Sequence, residues 1–103
     1  MKVLVTGGNG LIGRAVINKL IEKNISARSM DLVKSDINDI EHFVGSILDI
    51  NNVNQAVRGC DAVIHLAAKL GVKRTETHRL ETLNLNIQGT VNILEVCVKN
   101  NIE

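Results

Sequence analysis

Residues 1–31, MKVLVTGGNGLIGRAVINKLIEKNISARSMD, carry the clearest structural signal in this chain. A Val/Leu run at residues 2–6 is bounded by glycine, as is typical of a strand buried on both faces of a parallel sheet. Apolar residues then recur at helical spacing over residues 11–23, and a weaker strand is predicted over residues 25–31. The predicted helix has one apolar stripe, formed by Ile12, Val16 and Leu20. The segment therefore predicts a strand–turn–helix–strand unit.

The turn of this unit is rich in glycine and fits two spacings. Gly8, Gly10 and Gly13 form G-x-G-x-x-G, and replacing Gly8 by Gly7 gives G-x-x-G-x-x-G. Both spacings place backbone at a helix N-terminus, where the first N–H groups lack intrahelical partners and the macrodipole favours an anion. Glycine lets a phosphate approach, and Asp31 follows near the offset of about 20 residues expected in dinucleotide-binding units. The turn therefore predicts a site for a dinucleotide pyrophosphate.

Composition limits the other possibilities. A chain of 103 residues with a net charge of +1 is one domain, and its interleaved charges favour neither nucleic acid nor a membrane surface as a partner. No apolar run approaches the length of a membrane span. Cys60 and Cys97 lie apart from any Cys/His cluster, so we expect two reduced thiols, no metal site and a cytoplasmic protein.

The rest of the chain alternates predicted strands and helices. Residues 32–41 are too few and too polar for a full helix. Beyond them the patterns predict strands over 43–48 and 61–68, a helix over 51–58 that ends at Gly59, a basic loop over 69–77 and a helix over 78–99. Right-handed crossovers then give an α/β fold: a Rossmann-type, three-layer, doubly wound parallel sheet, present in part, with strand order 3-2-1-4.

The last predicted helix is apolar over an unusually wide arc. Its main stripe consists of Leu80, Leu83, Ile87, Val91, Leu94 and Val98, and its flank of Asn86, Thr90, Ile93 and Cys97. Stripe and flank together span roughly 160°, whereas covering one sheet face needs about 100°. We therefore expect a second packing partner for this helix. We also expect the fourth strand to have one open edge, so self-association, most simply as a homodimer, is predicted.

Five landmarks occur in order along the chain: VTGGNGLIG (5–13), Asp31, Asp49 with Ile50, VIHLAA (63–68) and NIQGTVNILE (86–95). Together they resemble the extended short-chain dehydrogenases/reductases, of the NAD-dependent epimerase/dehydratase kind that acts on nucleotide sugars. The resemblance runs over the whole chain. It implies a Rossmann domain over residues 1–103, NAD as cofactor and a nucleotide sugar as the substrate of the full-length enzyme.

The resemblance also implies residue roles around the cofactor. The pyrophosphate would be held by the turn residues Gly7, Gly10, Leu11, Ile12 and Gly13. Asp31 would accept hydrogen bonds from the adenosine ribose, and Asp49 with Ile50, ending the third strand, would face the adenine. The nicotinamide ribose would lie over Leu66, Ala67 and Ala68. For Asp49, a plain helix N-terminal acid is almost as good an interpretation.

For some residues near these landmarks, a structural role is a better explanation than a functional one. His65 lies inside an apolar strand and is better explained as a packed, hydrogen-bonded histidine than as a general acid or base. Asn86 would tie the long helix to neighbouring strands, and Gly89 would permit close packing. Lys69, Lys73 and Arg74 would lie beside the substrate in the family, but a solvated loop explains them more simply.

Catalysis in this family uses a tyrosine and a lysine in Y-x-x-x-K, and this chain contains no tyrosine. We therefore predict no catalytic residue here and interpret the chain as a cofactor-binding part, truncated before the catalytic half. The alternative is a stand-alone, non-catalytic dinucleotide-binding module. NAD is expected rather than NADP because Asp31 would repel a 2′-phosphate and no basic residue directly follows it. Arg14 and Arg28 are the cations that would weaken this preference.

Overall fold

A computed structural model describes residues 1–68 and 79–103. Its elements, in chain order, are β1 (Lys2–Thr6), α1 (Leu11–Glu22), β2 (Ser26–Asp31), β3 (Glu41–Val44), α2 (Ile50–Ala56), β4 (Ala62–His65), α3 (Arg79–Leu83), a π-helical turn (Asn84–Gln88) and α4 (Gly89–Lys99). The run from α3 to α4 is called the long helix below. The predicted basic loop, with Lys69, Lys73 and Arg74, lies outside the described residues.

The four strands form one parallel sheet in the order β3-β2-β1-β4, which confirms the predicted fold class and strand order. Thr6, at the end of β1, is in register with Met30 of β2 and His65 of β4. β2 pairs with β3 up to Asp31 and Val44. Because the strands are parallel, their carboxyl ends meet at one edge, and in open α/β sheets ligands bind outside that edge.

Helices cover both faces of the sheet, as a three-layer fold requires. Val3 and Val5 of β1 pack with Ile17 of α1 in one apolar cluster. Leu4, between them, faces the opposite side and packs in a second cluster with residues of α2 and the long helix. Alternate residues of β1 are thus buried in two separate cores, which explains its unbroken apolar sequence.

The face that α1 buries differs from the predicted one. Gly13 and Ile17 are its buried residues, whereas Ile12, predicted to lie on the core stripe, is 62% exposed. Val16 and Leu20 are partly buried against the same core. The buried face is therefore rotated toward Gly13, which packs on the glycine turn, and Ile17, which packs on the sheet.

The third strand is shorter than predicted. β3 ends at Val44, and Ile47 is buried without belonging to a strand. Ile47 instead packs beneath the long helix: a Cβ on Gly89 would lie 2.3 Å from its Cδ1. Its carbonyl oxygen accepts a hydrogen bond from Asn92 Nδ2 at 2.9 Å. Of the apolar residues at 43–48, Phe43 and Val44 thus belong to the sheet, whereas Ile47 contacts the long helix.

The long helix is oriented with its main apolar stripe outward. In that stripe Leu80 is 84% exposed, Ile87 60%, Leu94 59% and Val98 78%. The residues buried on the opposite side are Thr82, Gly89, Asn92, Ile93, Val96 and Cys97. A wide apolar arc is present as predicted, and the flank residues Ile93 and Cys97 are its buried part. No helix among the described residues has the length and apolar character needed to cross a membrane.

The outer edge of β4 is not bare along its whole length. Glu103 lies against the start of the strand: its carbonyl oxygen accepts from Val63 N at 2.6 Å, and its N–H donates to Asp61 O at 3.4 Å. Ile102, beside it, packs against the α2-side core. The prediction of an open edge was therefore wrong for this half of β4, because the chain turns back onto it after the long helix.

Both cysteines are buried and unpaired, as predicted. Cys60 and Cys97 belong to the same apolar cluster, on the side of α2 and the long helix. Burial raises the pKa of each thiol above its ordinary value. Both are therefore protonated, apolar core residues near neutral pH.

Candidate functional site

A cleft of about 380 Å³ lies at the carboxyl edge of the sheet. It is lined by Gly7, Gly10, Leu11, Ile12, Gly13, Met30, Asp31, Leu32, Gly45, Ile47, Leu66, Ala67, Ala68 and Leu85. The cleft runs from the β1–α1 turn to the ends of β2 and β4, and its walls are mainly apolar. Such a cleft, with a few polar groups at its rim, suits a flat, partly apolar ligand.

The β1–α1 turn reverses sharply at Gly7, whose φ is +70°, a value that favours glycine. Gly7 N donates to Met30 O at 2.8 Å, and Gly10 N donates to Gly7 O at 3.0 Å. A Cβ on Gly7 would lie 2.9 Å from Ala67 N, so the turn packs directly on the backbone that follows β4. This geometry favours the G-x-x-G-x-x-G spacing, with Gly7 as the turn glycine.

The other two glycines of that spacing face different surroundings. A Cβ on Gly13 would lie 2.1 Å from Gly7 O and 2.8 Å from Gly8 Cα, so Gly13 lets α1 approach the turn. Among residues 1–68 and 79–103, a Cβ on Gly10 would meet only Gly7 O, at 3.4 Å. Gly10 precedes α1, and no side chain caps the helix there. The space in front of Gly10 and the first N–H groups of α1 are therefore open to an anion.

Asp31 lies at the end of β2, at the opposite rim from β4. Its Oδ2 accepts from Asn9 N at 2.9 Å and its Oδ1 from Leu32 N at 2.7 Å. These two hydrogen bonds fix the carboxylate against the glycine turn, and each oxygen retains a lone pair. Asp31 thus offers an oriented anionic acceptor to a hydroxyl in the cleft.

The backbone after β4 is held by one threonine. Thr6 Oγ1 accepts from Leu66 N at 3.0 Å and from Ala67 N at 3.2 Å. With both acceptor positions used, its hydrogen points to His65 Nδ1, 2.7 Å away. The residues predicted to lie beneath the nicotinamide ribose are thus positioned by a buried side chain of the central strand.

His65 continues this hydrogen-bonded chain into the long helix. Because its Nδ1 accepts from Thr6, the network assigns the proton to Nε2, which donates to Thr90 Oγ1 at 3.0 Å. Thr90 in turn donates to Asn86 O at 2.6 Å. Burial lowers the pKa of His65, so the imidazole is neutral near pH 7. This is the packed, hydrogen-bonded histidine that the sequence favoured.

Nine of the predicted cofactor-binding residues line the cleft, and two do not. Asp49 lies at the N-cap of α2, where its Oδ1 accepts from Asn51 N at 2.9 Å and Asn52 N at 3.4 Å. Ile50 is the first residue of α2 and is 39% exposed. Neither ends the third strand, because β3 stops at Val44. For Asp49 the helix N-terminal interpretation describes the observed geometry.

Sequence reasoning missed several wall residues: Met30, Leu32, Gly45, Ile47 and Leu85. It also missed Asn92, which is only 4% exposed and whose Nδ2 donates to Ile47 O and Leu48 O at 2.9 and 3.2 Å. Gln88 Nε2 donates to Asn92 Oδ1 at 2.9 Å. Asn92 thereby holds the loop that forms the β3 side of the cleft. The sequence signal for Asn92 is that it is a polar residue among the apolar positions of the long helix.

Comparison with known proteins agrees with this arrangement. A sequence model described as the NAD dependent epimerase/dehydratase family matches residues 3–103. The chain belongs to that family. The matched residues include all five landmarks on which the resemblance was based, among them the glycine turn, the acid that ends β2 and the small residues after β4.

Individual relatives place the chain in context. It is 35% identical to a UDP-N-acetyl-alpha-D-glucosaminuronate decarboxylase of Bacillus cytotoxicus, over 95% of this chain and 33% of that protein. It is 34% identical to a 3-beta-hydroxysteroid dehydrogenase of Mycolicibacterium neoaurum, over 90% of this chain and 27% of that protein. A UDP-glucose 4-epimerase of Thermus thermophilus, solved in complex with NAD, superposes with a TM-score of 0.92 at 27% identity, over 100% of this chain and 35% of that one. The chain thus spans about a third of the length of these relatives.

Proposed function

We propose that this chain binds NAD in the cleft, as the cofactor-binding part of an NAD-dependent epimerase/dehydratase that acts on a nucleotide sugar. One observation carries the proposal: the open space in front of Gly10, at an uncapped helix start, lies in the same cleft as the fixed carboxylate of Asp31. A helix start that binds an anion, followed about 20 residues later by a carboxylate that accepts hydrogen bonds from a hydroxyl, provides the two polar ends of a dinucleotide site.

The remaining walls fit the other parts of such a ligand. Apolar Met30, Leu32 and Ile47 provide a surface for a planar base on the β2–β3 side. Ala67 and Ala68 provide a small-residue surface for the second ribose on the β4 side. When bound, NAD would supply the hydride acceptor of the reaction, and these residues would only bind and orient it.

NAD is preferred to NADP in this proposal because of the position of Asp31. A 2′-phosphate about 4 Å from that carboxylate would be repelled by roughly 1 to 4 kcal/mol, depending on the local dielectric. Arg28 does not offset this repulsion, because it is ion-paired with Glu41 at 2.7 Å and donates to Ala56 O at 2.6 Å, on the α2 side. Of the two cations considered from the sequence, only Arg14 lies next to the glycine turn.

Calorimetric titration of the 103-residue chain with NAD tests the proposal. Asp31→Asn keeps the size of the side chain, removes its charge and replaces one of its two acceptor oxygens by a donor, and we expect it to weaken NAD binding by about 10-fold, the cost of a charged hydrogen bond. Glu22→Gln is the matched control, because Glu22 is exposed and, among the described residues, is ion-paired with Lys19, at 3.7 Å, near the far end of α1. Absence of NAD binding, or equal losses in both variants, would overturn the proposed site.

The nucleotide sugar is proposed from the names of the relatives, and these point to more than one substrate class. The decarboxylase and the epimerase act on UDP-sugars by name, whereas the dehydrogenase acts on a steroid. The alternative, a stand-alone dinucleotide-binding module, predicts the same NAD titration. Sequencing the gene beyond codon 103 separates the two: a downstream serine and Y-x-x-x-K support the enzyme, and a stop codon supports the module.

A further inference from the structure

Arg14 lies near the ribose end of the cleft, beside Asn9 of the glycine turn. Its Nη1 is 3.4 Å from Asn9 Oδ1, and the backbone N–H of Asn9 donates to Asp31 Oδ2 at 2.9 Å. Only Asn9 therefore separates the guanidinium from the carboxylate proposed to bind the ribose. A basic residue in this neighbourhood would ordinarily be suited to the 2′-phosphate of NADP.

Arg14 is held by a second acid from a different part of the chain. Asp36, in the link between β2 and β3, accepts from Arg14 Nη1 at 2.8 Å, so one nitrogen contacts both Asp36 and Asn9. The Arg14 side chain is 41% exposed and that of Asp36 82% exposed, so the pair lies at the rim of the fold. The hydrogen bond and the charge of Arg14 lower the pKa of Asp36 below its ordinary value.

We propose that Asp36 is a specificity-determining residue, which excludes NADP by neutralising and holding Arg14, whose guanidinium lies beside the glycine turn and would otherwise bind the 2′-phosphate. Asp31 acts directly by repulsion, and Asp36 acts indirectly by occupying Arg14. The inference rests on the proposed dinucleotide site. It goes further because it assigns cofactor choice to a residue that does not line the cleft.

The test is a set of titrations with NAD and NADP at about 0.15 M salt, where exposed charges are partly screened. For Asp36→Asn we expect NADP affinity to rise about two- to fivefold, the range for releasing one exposed ion pair. NAD affinity should change by less than that, because NAD carries no 2′-phosphate. In Arg14→Gln/Asp36→Asn the gain should disappear, since the freed guanidinium is its cause. Thermal unfolding of each variant verifies that it is folded.

Glu22→Gln is again the matched control, because it removes one exposed acid of an ion pair from α1 without touching Arg14. A gain for NADP that persists in the double variant, or that Glu22→Gln reproduces, would show a general charge effect and overturn the inference. So would an unchanged NADP affinity in an Asp36→Asn variant that still binds NAD. If the unaltered chain binds neither cofactor, the proposed function itself fails.

Discussion

Gly10→Ala should separate ligand binding from folding. Gly10 has φ −78° and ψ 173°, extended backbone that alanine adopts without strain. Within the described part of the chain, the new methyl group would contact only Gly7 O, at 3.4 Å, and would otherwise project into the cleft. The substitution therefore changes the space available to a phosphate and leaves the packing of the turn intact.

The expected effects of Gly10→Ala on folding stability and on NAD affinity have opposite signs. Replacing glycine by alanine at a compatible position stabilises a protein by about 0.4–1 kcal/mol, which for a chain of this length raises the Tm by roughly 2–8 °C. Displacing a phosphate from one backbone N–H removes a charged hydrogen bond worth about 1.5–3 kcal/mol, or roughly a 10- to 150-fold increase in Kd. We expect a variant that is at least as stable as the parent and binds NAD far more weakly.

Two other glycines provide the comparison. Gly13→Ala would place a methyl group 2.1 Å from Gly7 O, so it should lower stability by about 1–3 kcal/mol. Gly59→Ala is a control for backbone strain alone, because Gly59 has φ +76° and nothing within 4 Å of its Cβ position. It should lower the Tm modestly and leave the NAD Kd unchanged.

Circular dichroism melting and NAD calorimetry on the same samples measure both quantities. The reasoning is refuted if folded Gly10→Ala binds NAD as well as the parent, since the phosphate then does not approach Gly10. It is equally refuted if Gly10→Ala melts as early as Gly13→Ala, since Gly10 would then be a packing residue.

Three further outcomes are expected. Because burial lowers the His65 pKa below 6.5, its stabilising contribution is complete above pH 6.5 and is lost as pH falls below that value. The unfolding free energy should therefore decrease as the pH falls from about 7 to 5, by less than about 1.4 kcal/mol per pH unit. His65→Gln should make this dependence on pH weaker, and an equal slope in both proteins would contradict the prediction. The 103-residue chain should show no turnover of nucleotide sugars with NAD, because it has no tyrosine; product seen by mass spectrometry and lost in Gly10→Val/Asp31→Ala would refute this. Light scattering should show self-association that Leu94→Glu abolishes, since Leu94 is 59% exposed on an apolar face; a stable monomer at high concentration would refute it.

The half of the cleft next to the glycine turn could be predicted because its signals are local. Gly7 and Gly13 are required by backbone geometry within one short turn, and Asp31 is fixed by the length of one helix and one strand. The strand order followed from strand–helix alternation, crossover handedness and the known order of a mononucleotide-binding half. None of these inferences needed a contact between distant parts of the chain.

The β3 side of the cleft could not be predicted in this way. By sequence, Ile47 resembles a strand residue. In the structure it packs under Gly89, and its carbonyl oxygen accepts a hydrogen bond from Asn92, 45 residues later in the chain. Local periodicity carries no information about such a partner. The error in placing Asp49 and Ile50 follows from the same cause, because a longer β3 would have carried them to the sheet edge.

When both sides of a helix are apolar, periodicity does not determine which side faces the core, and the long helix is an example. The pattern of large residues picked out the stripe containing Leu83, Ile87 and Leu94, but the contact with the loop around Ile47 needs a small residue. Gly89 provides it, since a Cβ there would overlap Ile47, and the buried amide of Asn92 then bonds the same loop. With this side of the helix buried, the large side chains of the stripe remain outside, with Leu80 84% and Val98 78% exposed. An apolar surface of this kind is costly in water unless another surface covers it. This cost is the reason to expect self-association through the exposed stripe, and the helix is better described as having two apolar sides than as having one face that is too wide.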